Sequence, residues 1–259
     1  MVTSSHYSPP LPRGVTPTAI LIMQRVPVET ASQGSSNPQP LVDWQRIRTV
    51  LLDMDGTLLD LHFDNMFWLE HVPRRYAERH GLGVAEARAR VYGRYREVEG
   101  TMQWYCVDYW TGELGLDIAE LKQELEHLIG VQPHAIEFLE TARAAGKRLV
   151  LVTNAHAKSL ALKLERTDLA PHFDAIVCAH DLGLPKETPD FWERLREREP
   201  FEPAMTLLID DSLPVLRAAR AYGLPHLLAV YRPDSRAPRR EVSEFPAIES
   251  FRDVMPPWS

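Results

Sequence analysis

The sequence predicts an α/β protein, a doubly wound parallel sheet with a helical cap inserted after the first strand. Three observations carry this. Five short runs are apolar on consecutive residues, as strands buried on both faces are. Amphipathic stretches separate most of the runs, as the crossovers of a parallel sheet require. Several runs end in carboxylate, hydroxyl or amide side chains, at the strand ends where an open parallel sheet binds its ligand.

Residues 1–42 are rich in Pro, Ser, Thr and Gln and hold one acid, Glu29. Such a stretch buries too little apolar surface to offset its chain entropy, so a disordered tail is expected, an upstream start codon assigned in error being the other reading. The first strand is Thr49–Asp53. Residues 61–134 carry helical periodicity instead, over Met66–His80, Val84–Gly100 and Ile118–Ile129. A helix from about Ala135 stops at Gly146. The remaining strands are Lys147–Asn154, Ala175–Ala179, Met205–Asp211 and Pro225–Tyr231. The expected organisation is a tail (1–42), a core (43–60 and 135–235), a cap (61–134) and a C-terminal extension (236–259).

With 44% hydrophobic and 25% charged residues, the 259-residue chain has ordinary globular composition. A net charge of -7 argues against nonspecific binding to nucleic acid or an anionic membrane. No Gly-x-x-x-x-Gly-Lys loop supports nucleoside-triphosphate binding. No apolar run approaches the roughly 20 residues of a membrane span. Cys106 and Cys178 lie far apart without Cys-x-x-Cys spacing, so neither a disulfide framework nor a zinc site is expected, and a reducing cytoplasm fits.

The strand ends collect Asp53 and Asp55, then Thr153 and Asn154, then Lys186 in the loop after the third strand, then Asp210 and Asp211. Taken singly, each has a bland reading: a strand-end cap, a turn lysine, an N-cap before a helix. Together and in this order, they suit phosphoryl transfer, which needs a divalent metal, a cation on the phosphate oxygens and a positioned nucleophile.

On Asp53-x-Asp55-Gly56-Thr57-Leu58, Thr153-Asn154-Ala155, Lys186 and Ile209-Asp210-Asp211-Ser212, the chain resembles the haloacid dehalogenase superfamily over residues 47 to 232. The resemblance implies a Rossmann-like core and a Mg2+-dependent phosphatase working through an aspartyl phosphate. By resemblance, Asp53 is the nucleophile and Asp55 the general acid and base. Thr153 and the Asn154 backbone bind phosphate oxygens, and Lys186 offsets charge. Asp53, the Asp55 carbonyl, Asp210 and Asp211 hold the metal. Val215 stands where many members carry a further acid, which leaves open which of Asp210 and Asp211 is the direct ligand.

An insertion directly after the first motif matches the family's helical cap, which suits a small diffusible phosphate monoester. The cap segments Leu61–Trp68 and Trp104–Trp110, with Thr153-Asn154-Ala155-His156, look like the bacterial GMP/IMP 5′-nucleotidase group, implying a purine nucleoside monophosphate as substrate. Trp104 then offers a flat face to the base and Asp64, Asn65 or Asp108 meets its polar edge. The alternative for Trp104, Val107, Tyr109 and Trp110 is one helical stripe in a packed cap core. His156 is expected at a solvent-facing helix start. A sugar phosphate or phosphoglycolate is the rival substrate, and a catalytically silent binding protein on the same fold is the rival class.

Overall fold

The computed structural model describes residues 40–257, so the expected tail lies outside the described residues apart from its last three. Of those three, Val42 is buried in the core. Among the described residues, six strands form one sheet in the order β3-β2-β1-β4-β5-β6, every neighbouring pair parallel. They are β1 (Thr49–Leu52), β2 (Arg148–Thr153), β3 (Ala175–Cys178), β4 (Thr206–Ile209), β5 (His226–Val230) and β6 (Ala247–Ile248).

Side chains alternate across a strand, so each consecutive apolar run feeds two cores. Val50, Leu52, Leu149, Leu151, Leu207 and Ile209 face one, with Phe138 and Leu139 of helix α7 (Ala135–Ala144). Leu51, Val150, Val152 and Leu208 face the other, beneath α10 (Pro189–Arg198) and α11 (Leu213–Tyr222). Helix α8 (Ala157–Thr167) follows β2, and the single turn α9 (Ala179–Leu182) follows β3. The sixth strand belongs to the stretch expected as an extension. At two residues it is too short to show periodicity, but its Ile248 and the following Phe251 and Val254 are buried in the first core.

The chain leaves the sheet after β1 and returns before α7 along two antiparallel stretches. Asp60 N donates to Gly130 O (2.9 Å) and Gln132 N to Leu58 O (2.8 Å). Between them lie α1 (His62–Met66), α2 (Val72–His80), α3 (Val84–Val98), α4 (Met102–Tyr105), α5 (Val107–Leu114) and α6 (Ile118–Glu124). These helices bury a third apolar cluster, including Phe67, Val91, Tyr95, Trp110 and Leu114. Full burial of such side chains contributes about 1.5–3 kcal/mol each.

Two helical expectations are revised here. The helix over Met66–His80 contains a π turn at Phe67–His71. Pro73 lacks an N–H and its ring would strike the carbonyl four residues back, so the hydrogen-bond register slips just before it. The aromatic stripe from Trp104 to Trp110 is not one helix, because the backbone turns extended at Cys106 between α4 and α5. Trp110 Nε1 donates to the Trp104 carbonyl across this break (2.8 Å), and Tyr109 N donates to Cys106 Sγ (3.4 Å), capping the new helix.

Candidate active site

Leu52 and Ile209 are register partners at the ends of β1 and β4, so the residues that follow them, Asp53 and Asp210, emerge side by side at the centre of the sheet. Lys186, 2% exposed, closes the pair. Its Nζ donates to Asp53 Oδ1 (2.5 Å), Asp210 Oδ2 (2.8 Å) and Val152 O (3.0 Å), which uses all three ammonium donors. Its backbone is fixed as well: Lys186 N donates to Asn154 Oδ1 (2.9 Å), and Trp192 Nε1 donates to Lys186 O (3.1 Å). Burial disfavours the charge on Asp53, and with Asp210 nearby it outweighs Lys186 and raises the carboxyl to about 6. For Lys186 burial opposes the charge, yet Asp210 and Asp53 prevail and raise its pKa.

Asp211 completes a group of carboxylates with Asp53 and Asp210, one oxygen from each lying within 4.8 Å of the others. Its backbone N donates to Thr57 Oγ1 (3.1 Å), and Arg240 Nη2 donates to its carbonyl. Gly56, at φ +87°, makes room for it. A Cβ built there would fall 2.7 Å from Asp211 Cγ and 2.8 Å from Oδ2. Burial, with the charges of Asp53 and Asp210, outweighs Arg240 and lifts Asp211 to about 8. Three crowded carboxylates whose ionisation is resisted are a set that a divalent cation would relieve, and all-oxygen donors suit a hard ion such as Mg2+.

Asp55 points to a second buried network. Lys163 Nζ donates to Asp55 Oδ1 and to Asp64 Oδ2, each at 2.6 Å, and Lys122 Nζ donates to Asp64 Oδ1 (3.1 Å). Lys122 also sits 4.4 Å from the centroid of the Phe67 ring. Burial raises Asp55 to about 6 against the pull of Lys163. Burial works the same way on Asp64, but Lys163 and Lys122 overcome it and hold that carboxyl at about 2.

The other expected residues divide. Thr153 is buried and its Oγ1 accepts from Ala155 N (3.0 Å). Asn154 Nδ2 donates to Glu187 Oε2 (3.0 Å), and Tyr105 of α4 donates its hydroxyl to the other oxygen of Glu187. Asn65 donates to Asp234 Oδ2 (2.8 Å). Trp104 packs edge-on against Tyr95 and Trp110 in the cluster of the inserted helices. Asp108 is exposed and bonded to Lys158 Nζ (2.5 Å). His156 stands at the start of α8 as expected but does not face solvent: its side chain is 15% exposed and meets His180 edge to face.

Lys163, Lys122, Glu187 and Arg240 escaped the sequence reading. Lys163 left a trace, since it sits three residues after Leu160 on the apolar side of α8, where a lysine is out of place. Arg240 left none, because its position depends on the irregular chain between β5 and β6.

A parallel sheet with this acid and lysine set at its central strand ends defines a hydrolase class, and the family comparison agrees. Residues 47–223 match the family model of haloacid dehalogenase-like hydrolases, and the chain belongs to that family. It is 40% identical to the GMP/IMP nucleotidase YrfG of Escherichia coli, over 83% of this chain and 97% of that one. It is 33% identical to the phosphoglycolate phosphatase of Nitrosospira multiformis, over 68% and 80%. Among solved structures, the HAD phosphatase from Thermococcus onnurineus superimposes with a TM-score of 0.68 at 25% identity, covering 80% of this chain and 96% of that one. The L-2-haloacid dehalogenase of Xanthobacter autotrophicus, at 17% identity and a TM-score of 0.54 over 80% and 96%, shares the fold alone. Among the described residues no helix is long and apolar enough to cross a membrane.

Proposed function

We propose that this protein is a Mg2+-dependent phosphatase that hydrolyses purine nucleoside 5′-monophosphates, GMP and IMP foremost, to nucleoside and phosphate. The observation that carries the proposal is the lysine-bridged pair Asp53 and Asp210 with Asp211 beside it. The substrate reading draws on the 40% identity to a GMP/IMP nucleotidase over nearly all of that enzyme.

Asp53, the Asp55 carbonyl, Asp210 and Asp211 would hold the metal, which when bound supplies positive charge against the nucleophile and the phosphate. The chain's own groups account for the rest. An Asp53 carboxylate oxygen attacks phosphorus, the bond from phosphorus to the ribose oxygen breaks, and Asp55 gives that oxygen its proton. Asp55 then takes a proton from water, whose oxygen attacks the phosphorus of the aspartyl phosphate. The bond to Asp53 breaks and phosphate leaves. Lys186 balances charge on Asp53 and the phosphate, and Thr153 with the Asn154 backbone orients the phosphate oxygens. Helices within residues 61–134 would serve as a cap that excludes water, contributing Asp64, Asn65, Trp104 and Asp108 toward specificity.

Phosphate release measured on a panel of nucleotides, sugar phosphates and phosphoglycolate, with Mg2+ and with a chelator, tests both halves. The expected result is a preference for GMP and IMP that the chelator abolishes and Mg2+ restores. Preference for phosphoglycolate would replace the substrate, and silence across the panel would overturn the enzyme reading.

A further inference from the structure

Outside the carboxylate cluster, three side chains far apart in sequence meet across the junction between inserted helices and core. Cys106 stands at the break between α4 and α5, His156 caps α8, and His180 lies in α9 just after β3. Their sulfur and one nitrogen from each ring lie within 4.8 Å of one another. The two imidazoles stack edge to face with centroids 4.9 Å apart. His180 Nε2 is buried and has no hydrogen-bond partner among the described residues. A buried polar atom without a partner is costly, and a ligand at this point would relieve that cost.

The donor chemistry selects the ligand. One thiolate and two imidazoles suit a soft or borderline cation and discriminate against Mg2+, which takes oxygen donors and keeps its waters. Burial disfavours a positive charge on both rings. Tyr109 N already donates to Cys106 Sγ, leaving sulfur lone pairs for a metal. Asp108 Oδ2 lies 3.6 Å from His156 Nε2, but Asp108 is held by Lys158 Nζ (2.5 Å), which leaves the fourth position of a four-coordinate ion to water. Bonds of about 2.0–2.3 Å around a tetrahedral ion hold its donors about 3.3–3.8 Å apart, so side-chain shifts of roughly 1 Å close the site.

We propose that Cys106, His156 and His180 form a second metal site, specific for a thiophilic divalent cation of the Zn2+ class, that fastens the inserted helices to the core. With one ligand from the helical segment and two from the core, no short-range spacing announces it, which is why the separated cysteines argued against zinc.

Co2+ added to the full-length protein in excess Mg2+ reads the site directly, because the Mg2+ occupies the oxygen cluster and only a sulfur ligand gives a thiolate-to-cobalt charge-transfer band. One equivalent should produce that band together with the intense visible bands of a four-coordinate ion, and Zn2+ should erase both. Cys106→Ser should abolish the band, and His180→Asn should weaken Co2+ binding at least about tenfold. In parallel, Zn2+ should raise the thermal midpoint of the unmodified protein and not that of either variant. Absence of the charge-transfer band, or a band or midpoint shift that survives Cys106→Ser in protein with unchanged circular dichroism, would overturn the proposal.

Discussion

Lys163 holds Asp55 through a 2.6 Å hydrogen bond, and the same ammonium reaches Asp64 on the first inserted helix at the same distance. One core lysine therefore fixes the orientation of the proposed general acid and ties it to the helical segment. Lys163→Met should lower kcat on a nucleotide by about 10²-fold, the scale of acid–base catalysis. The loss on an aryl phosphate should be smaller, because a phenolate leaves without help from a proton. Steady-state kinetics on both substrates makes the comparison, and equal losses would reduce Lys163 to a structural role.

Replacing the proposed nucleophile gives the sharpest kinetic outcome. Asp53→Asn should depress phosphate release by about 10⁴-fold or more. Lys186 keeps Asp210 and Val152 O as partners, so the fold should survive, as judged by circular dichroism. Retained activity would exclude Asp53 as nucleophile.

Asp64 gives a prediction about pH and stability with a definite sign. Its folded pKa of about 2 lies below the ordinary value of 3.8, because Lys163 and Lys122 overcome the effect of burial. Its contribution, about 2 kcal/mol, is therefore complete above roughly pH 4 and is lost as pH falls toward 2. Urea unfolding of Asp64→Asn and the unmodified protein should show a gap that is constant from pH 7 to about 4.5 and narrows below it. A gap that widens on acidification would contradict the assignment.

At Gly56 the prediction concerns the metal. A methyl group there strikes the Asp211 carboxylate and also sits on a backbone at φ +87°. Gly56→Ala should raise the Mg2+ concentration needed for half-maximal activity roughly 10- to 100-fold, the scale at which displaced ligands act. A Mg2+ titration that coincides with that of the unmodified enzyme would place Asp211 outside the metal site.

Tyr105 begins a chain of contacts that runs through Glu187 and Asn154 to the backbone of Lys186. Tyr105→Phe removes the link from the inserted helices and should cost about 1–2 kcal/mol, seen as a KM roughly tenfold higher with a smaller change in kcat. An unchanged KM would show that closure over the site does not use this contact.

Much of the architecture was legible because it is local. The runs at Thr49, Arg148, Ala175, Thr206 and His226 are apolar on consecutive residues, and that pattern needs no knowledge of distant chain. Glycines and prolines punctuated the helices in the same way. What escaped was either too short for a period, as with Ala247–Ile248, or set by a clash within one turn, as with Pro73 and the π turn before it.

Sequence alone determined the strand-end set of Asp53, Asp55, Thr153, Asn154, Lys186, Asp210 and Asp211, since order along the chain and position at strand ends are both written locally. Tertiary structure decided how they are charged and held. Lys186 could be assigned to the site from its motif, but its three partners lie 24 to 133 residues away. Lys163 and Arg240 acquire their partners through packing between elements that no spacing encodes. Cys106, His156 and His180 show the same limit: a cluster assembled across a junction appears only where the chain has folded, because desolvation and charge at a point depend on everything packed around it.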